Sequence, residues 1–142
     1  MLADHKVNIK SKLTAHWACL MFLYIYADYF ELKTPGKIEQ IMKLKTPVGE
    51  TTPGLLVIFS LILIVPSLMI VFSVLLKPKI NKWSNIIVAL IWSTMSVLII
   101  IGELDDLGGW YTFYLLYQIV EVLVFGSIIW HAWRWPKHKV NL

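Results

Sequence analysis

A single carboxylate, Glu121, stands inside an apolar run that opens near Trp110 and closes at Trp133. At the helical repeat it shares a face with Trp110, Tyr114, Tyr117, Gln118, Phe125 and Ile128, while Leu116, Ile119, Leu123 and Trp130 fall opposite. Eleven residues separate it from Trp110, a rise of roughly 16 Å, which in a hydrocarbon core of about 30 Å lies near the midplane. An ionised carboxylate at that depth costs about 3 kcal/mol on insertion scales. The cost falls when the acid carries a proton, or accepts a hydrogen bond from Gln118, Tyr24 or Tyr114. Two readings compete. Ionisable residues this deep usually serve function, but a lone acid can also bond one helix to another, at about 0.6 kcal/mol per such bond.

Three more apolar runs carry polar stripes of the same kind. The first aligns Trp17, Met21, Tyr24 and Asp28; the second aligns Ser60, Ile64, Ser67 and Val71. The third aligns Asn85, Ala89, Trp92, Ser96 and Glu103. Four such stripes facing one another would enclose a narrow, partly polar cavity. The candidate ligand-binding residues are therefore Glu121, Gln118, Tyr114, Tyr24, Asp28, Asn85 and Trp92. The chemistry they suggest is capture of an amphipathic cation, by aromatic faces and then by the Glu121 carboxylate. Asp28, Glu31, Glu103, Asp105 and Asp106 would form an acidic mouth, or else only solvated loop ends. No catalytic residue, cofactor or metal site is expected. His16 lies about 120° from the Asp28 face, and His131 and His138 have no Cys or carboxylate nearby in sequence. Nucleotide loops, nucleophile elbows and the HExxH pattern do not occur in the sequence.

The elements that must position these residues follow from composition. Of 142 residues 58% are hydrophobic and only 15% charged, too apolar for a soluble domain of this length. Four runs, at about residues 13–31, 55–76, 83–101 and 110–133, are long enough to cross a bilayer as helices. The expected fold is thus an all-α membrane protein: residues 1–142 as one domain of four transmembrane helices in an up-down bundle. The lone Cys19 excludes an internal disulfide. The net charge of +4 comes from bases flanking the spans, which argues for orientation in lipid and against nucleic acid. Nine bases (Lys6, Lys10, Lys12, Lys77, Lys79, Lys82, Arg134, Lys137 and Lys139) fall on one side, against four in the first loop. Both termini and the second loop are accordingly expected in the cytoplasm. The first run reads as an uncleaved helix, because Ile25 would occupy the small-residue position of a signal cleavage site. Trp133, Arg134 and Trp135 read as an interfacial anchor. In the first loop, Ile38, Ile41 and Met42 predict a short interfacial helix over Lys37–Leu44, bounded by Pro35 and Pro47. Pro66 predicts a kink or a free carbonyl in the second span.

The segments YADYFELKTPG, KWSNIIVALI and YQIVEVLVFGSIIWHAWRWP resemble an uncharacterised family of small prokaryotic four-helix integral membrane proteins, a domain of unknown function. That resemblance implies four spans in a prokaryotic inner membrane and carries no activity. The layout is also distantly similar to the sterol-isomerase and sigma-2-receptor architecture, with Asp28 closing the first span and Lys82–Trp83 opening the third. The second-span acid of that architecture is missing, since Ser60 to Ser67 offers only hydroxyls. Three functions follow in order. The first is a module that binds or transports a small molecule or cation. The second is a non-catalytic accessory subunit or assembly factor, with a homo-oligomeric or other membrane partner. The third is an isomerase-like enzyme using Asp28 and Glu121.

Overall fold

Capping chemistry sets where the helices begin. The Asn8 side chain accepts from the Lys10 amide at 3.0 Å and opens α1, Ile9–Glu31. Thr52 Oγ1 accepts from the Leu55 amide, and Pro53 starts α3, Pro53–Leu75, where its missing N–H has no cost. Pro78 likewise starts α4, Pro78–Glu103, and α5 runs Thr112–Trp133. Between α1 and α3 lie α2, Lys37–Met42, and a two-residue hairpin, β1 (Lys45–Thr46) against β2 (Gly49–Glu50), antiparallel with Lys45 opposite Glu50. The computed structural model describes residues 6–46, 48–104 and 107–136. It is mostly helical, and α3, α4 and α5 are long and apolar enough to cross a membrane. The 23-residue α1 has the length but is more polar, with Lys10, Lys12, His16 and Asp28 along it.

The core draws on all four long helices: Leu13, Trp17 and Leu20, Met69, Ile86 and Ala89, and Phe125 and Ile128. Trp17 meets Phe125 edge to face with ring centroids 6.1 Å apart. Contacts between neighbouring helices fall in opposite order along the two chains. Lys10, Thr14 and Met21 of α1 meet Val74, Ile70 and Ser67 of α3. Asn85 and Trp92 of α4 meet Ser73 and Ile62 of α3. Along α5, Trp133 and Glu121 meet Lys82 and Ser96 of α4.

Two expectations about faces are corrected. In α3, Ser60, Ile64 and Val71 are exposed, and the inward face instead carries Pro66, Met69 and Ser73. The hydroxyls of Ser60 and Ser67 fold back onto the carbonyls of Leu56 and Leu63, which lets Ser60 stay exposed, while Ser67 also reaches Met21 Sδ of α1. Trp110 lies before α5 and is exposed, so it does not share the Glu121 face. The helix in the first loop is present but ends at Met42, because Leu44 takes a left-handed φ of 54° and turns the chain into the hairpin. Its start is Gly36, whose φ of 75° suits a residue without Cβ. Pro47 lies outside the described residues. Ile38, Ile41 and Met42 are all exposed on α2.

Pro66 leaves the Ile62 carbonyl without its helical donor, and Trp92 Nε1 of α4 donates to it at 3.2 Å. This exchange holds the Trp92 ring across the α3–α4 gap. Trp92→Phe should therefore cost about 1 kcal/mol in unfolding titrations of the detergent-solubilised chain. In a Pro66→Ala background the restored N–H would serve Ile62 instead, and the same change should cost close to nothing. Equal costs in the two backgrounds would refute the exchange.

Candidate functional site

The proline that frees Ile62 sits one turn from a half-enclosed cavity of about 140 Å³, walled by all four long helices. From α1 come Tyr24 and Asp28, from α3 Ile62 and Leu63, and from α4 Trp92 and Ser96. The α5 helix contributes Tyr114, Gln118 and Glu121, at the i, i+4 and i+7 spacing of one face. Six of the seven sequence-derived candidates thus line one cavity. Their convergence follows from helix geometry: Gln118 and Glu121 are buried, Tyr24, Trp92 and Tyr114 partly so, and Asp28 stands at the exposed rim.

Asn85 is the exception. It lies in a separate, fully buried cluster where its Oδ1 accepts from Trp17 Nε1 at 2.6 Å and from Ser73 Oγ at 3.2 Å. Its Nδ2 donates to Asn81 O and Oδ1 at 2.9 and 2.7 Å. Every Asn85 polar atom is engaged, so it has nothing left for a ligand. Asn81 in turn donates to the Ser73 carbonyl in the last turn of α3, whose carbonyls would otherwise lack partners. Lys10 Nζ does the same for Val74 and Leu76 from α1. Asn85 is therefore part of the brace that joins α1, α3 and α4.

Glu121 lies near the middle of α5 and is 1% exposed. Its Oε2 accepts from Ser96 Oγ at 3.1 Å, in place of the expected donors Gln118, Tyr24 or Tyr114. Ser96 is on the predicted α4 stripe, one turn from Trp92, and that spacing is the signal that could have named it. Among the described residues, Glu121 Oε1 and Gln118 Oε1 are buried with no hydrogen-bond partner. Buried polar atoms are nearly always paired. The two acceptors stand one turn apart on α5, and both residues line the cavity. The packing of the single chain is by itself enough to cover Glu121.

The acidic mouth is reduced. Glu31 is ion-paired with Lys37, Glu103 is half-buried, and Asp105 and Asp106 lie outside the described residues. Asp28 remains on the cavity wall. His16 hydrogen-bonds Ser127 Oγ and the Lys12 carbonyl, and its ring stands 5.5 Å from that of His131. Among the described residues no group of three or more His, Cys, Asp or Glu could hold a metal. At the far end, Arg134 stacks over Trp130 and Lys82 lies over Trp133. Trp135, expected to anchor at the interface, packs partly buried against the core.

Residues 2–141 match a family of unknown function, DUF6326. The chain belongs to that family. No curated protein and no solved structure matches it. The family description carries no activity, so the functional argument rests on the cavity: a buried acid and a buried amide each with an unpaired oxygen, a second acid at Asp28, three aromatic rings and a largely apolar remainder.

Proposed function

We propose that this chain is an integral membrane protein of four transmembrane helices in up-down order, whose cavity binds a small amphipathic cation at Glu121. The observation that carries the binding reading is the unpaired Oε1 of a 1% exposed carboxylate, facing a cavity with aromatic walls. An acid kept only to join helices would be expected to have both oxygens engaged. A cation supplies the missing charge and partner, and Trp92, Tyr24 and Tyr114 supply π faces. A proton released from Glu121 on cation arrival would couple binding to proton movement, as transport requires.

Counting α1 as the fourth span is supported by its contacts with α3 and α5, which run from Lys10 to Phe30. The Lys10 and Lys82 ends of the bundle lie together with the C-termini of α3 and α5, which supports a cytoplasmic side carrying both termini and the second loop. A prokaryotic inner membrane is the location that the sequence resemblance suggests for it. With Cys19 replaced by Ala, an impermeant maleimide added outside whole cells should label Leu107→Cys and spare Lys79→Cys. Labelling at Lys79→Cys alone would invert the orientation.

For the binding reading, the test is thermal unfolding of the purified chain across a panel of alkylammonium ions. Concentration-dependent stabilisation by at least one supports it, because a ligand that binds only the folded state raises its stability. No stabilisation, with reproducible co-purification of another membrane protein, would favour an accessory subunit instead.

A further inference from the structure

Among the described residues, the buried side-chain atoms left without a partner are both acceptors on the wall of this cavity. The Trp92 indole N–H is committed to the Ile62 carbonyl, and the Ser96 hydroxyl is committed to Glu121 Oε2. On the acceptor side, Glu121 Oε1 and Gln118 Oε1 have no donor, and their residues are 1% and 4% exposed. Both project from one face of α5, three residues apart, so a single small group can reach the two together. Leu63, Met95 and Ile99 make the remaining wall apolar.

Resting on the cation reading above, we infer that the preferred ligand is an ammonium that still carries N–H groups: a primary or secondary amine with a short apolar tail. Its N–H donors satisfy Glu121 Oε1 and Gln118 Oε1 simultaneously, and the bond to the carboxylate is charge-assisted and therefore strong. The tail lies against the apolar wall. A quaternary ammonium can approach the aromatic faces but leaves both acceptors unpaired. A carboxylate or phosphate ligand would face Asp28 and Glu121 together, with no base on the cavity wall to offset them.

The discriminating experiment titrates the purified full chain in detergent with n-hexylammonium and with n-hexyltrimethylammonium. Only the binding abolished by Glu121→Gln is counted, which removes partition into micelles. An apolar cavity without hydrogen-bond selectivity favours the quaternary ion, because that ion is the less hydrated and the more apolar. The inference expects the opposite order, with n-hexylammonium at least about tenfold tighter. It also expects Gln118→Leu to bring the ratio toward one. Equal or tighter binding of the quaternary ion overturns the inference while leaving the cation site standing. Binding of neither ion overturns the site itself. The order of the two ions on the unaltered chain decides between these outcomes even where Gln118→Leu fails to fold.

Discussion

Glu121→Gln is expected to weaken binding of every alkylammonium ion at least about tenfold while leaving the unfolding temperature within a few degrees of the parent. The substitution keeps the size of the side chain and an oxygen to accept from Ser96 Oγ, so the α4–α5 contact survives. What disappears is the negative charge beside the cavity, and a hydrogen bond to a charged partner is worth about 1.5–3 kcal/mol. Glu121→Leu separates the two roles by sign. It removes a buried polar group with an unpaired oxygen, and the Ser96 hydroxyl it releases can turn back to a carbonyl of its own helix, so the chain should become as stable as the parent or more so, and inactive in binding. A helix-joining acid predicts the reverse, a fall in stability with the Leu change. If the Gln chain binds every cation as the parent does, the cavity has no functional need of its acid and the proposal fails.

Asn85→Leu should destabilise the chain by about 2–3 kcal/mol. The side chain makes four hydrogen bonds to three residues, all of them also fully buried, and all three would be left short of a partner. Two of the four bonds cross between helices, where such bonds average about 0.6 kcal/mol each, and the donors and acceptors orphaned in a fully buried cluster supply the remainder. Coupling to Trp17 should be visible. With Trp17→Phe already present, the indole N–H is gone, and Asn85→Leu should cost about 1 kcal/mol less than in the parent. Denaturant titration in mixed micelles measures both. A cost below about 0.5 kcal/mol would mean that water or lipid headgroups serve these atoms instead. Alkylammonium binding to the surviving folded fraction should be unchanged, since Asn85 does not line the cavity.

Much of the candidate site is legible from helical spacing alone. Tyr114, Gln118 and Glu121 have to share a face, and Leu116, Ile119 and Leu123 have to point away; the latter three are exposed. Spacing places a residue on a face, but not the partner across it. That is why it does not single out Ser96 as the donor to Glu121, and why it groups Asn85 with Trp92 although the Asn85 atoms are consumed by Trp17, Ser73 and Asn81. The α3 stripe fails for a related reason. In a run apolar all round, hydropathy does not choose an inward face, and serines that bond their own backbone give a false polar signal.

By itself the sequence determined the apolar character of the long helices, the local signals at which α1, α3 and α4 start and the depth of Glu121 along α5. These depend on local terms: capping by Asn8 and Thr52, proline at the first helical positions, and a rise per residue that does not vary with context. Only the tertiary structure decided which buried polar atoms are satisfied. A hydrogen bond between helices depends on rotation and separation of two rigid rods, to within a fraction of an ångström, and no single helix encodes that. The freed Ile62 carbonyl could be foreseen from Pro66, but Trp92 as its donor could not. The unpaired oxygens of Glu121 and Gln118 exist for the same reason. Four helices pack closely enough to bury them, and the cavity between the helices leaves room where a donor would stand.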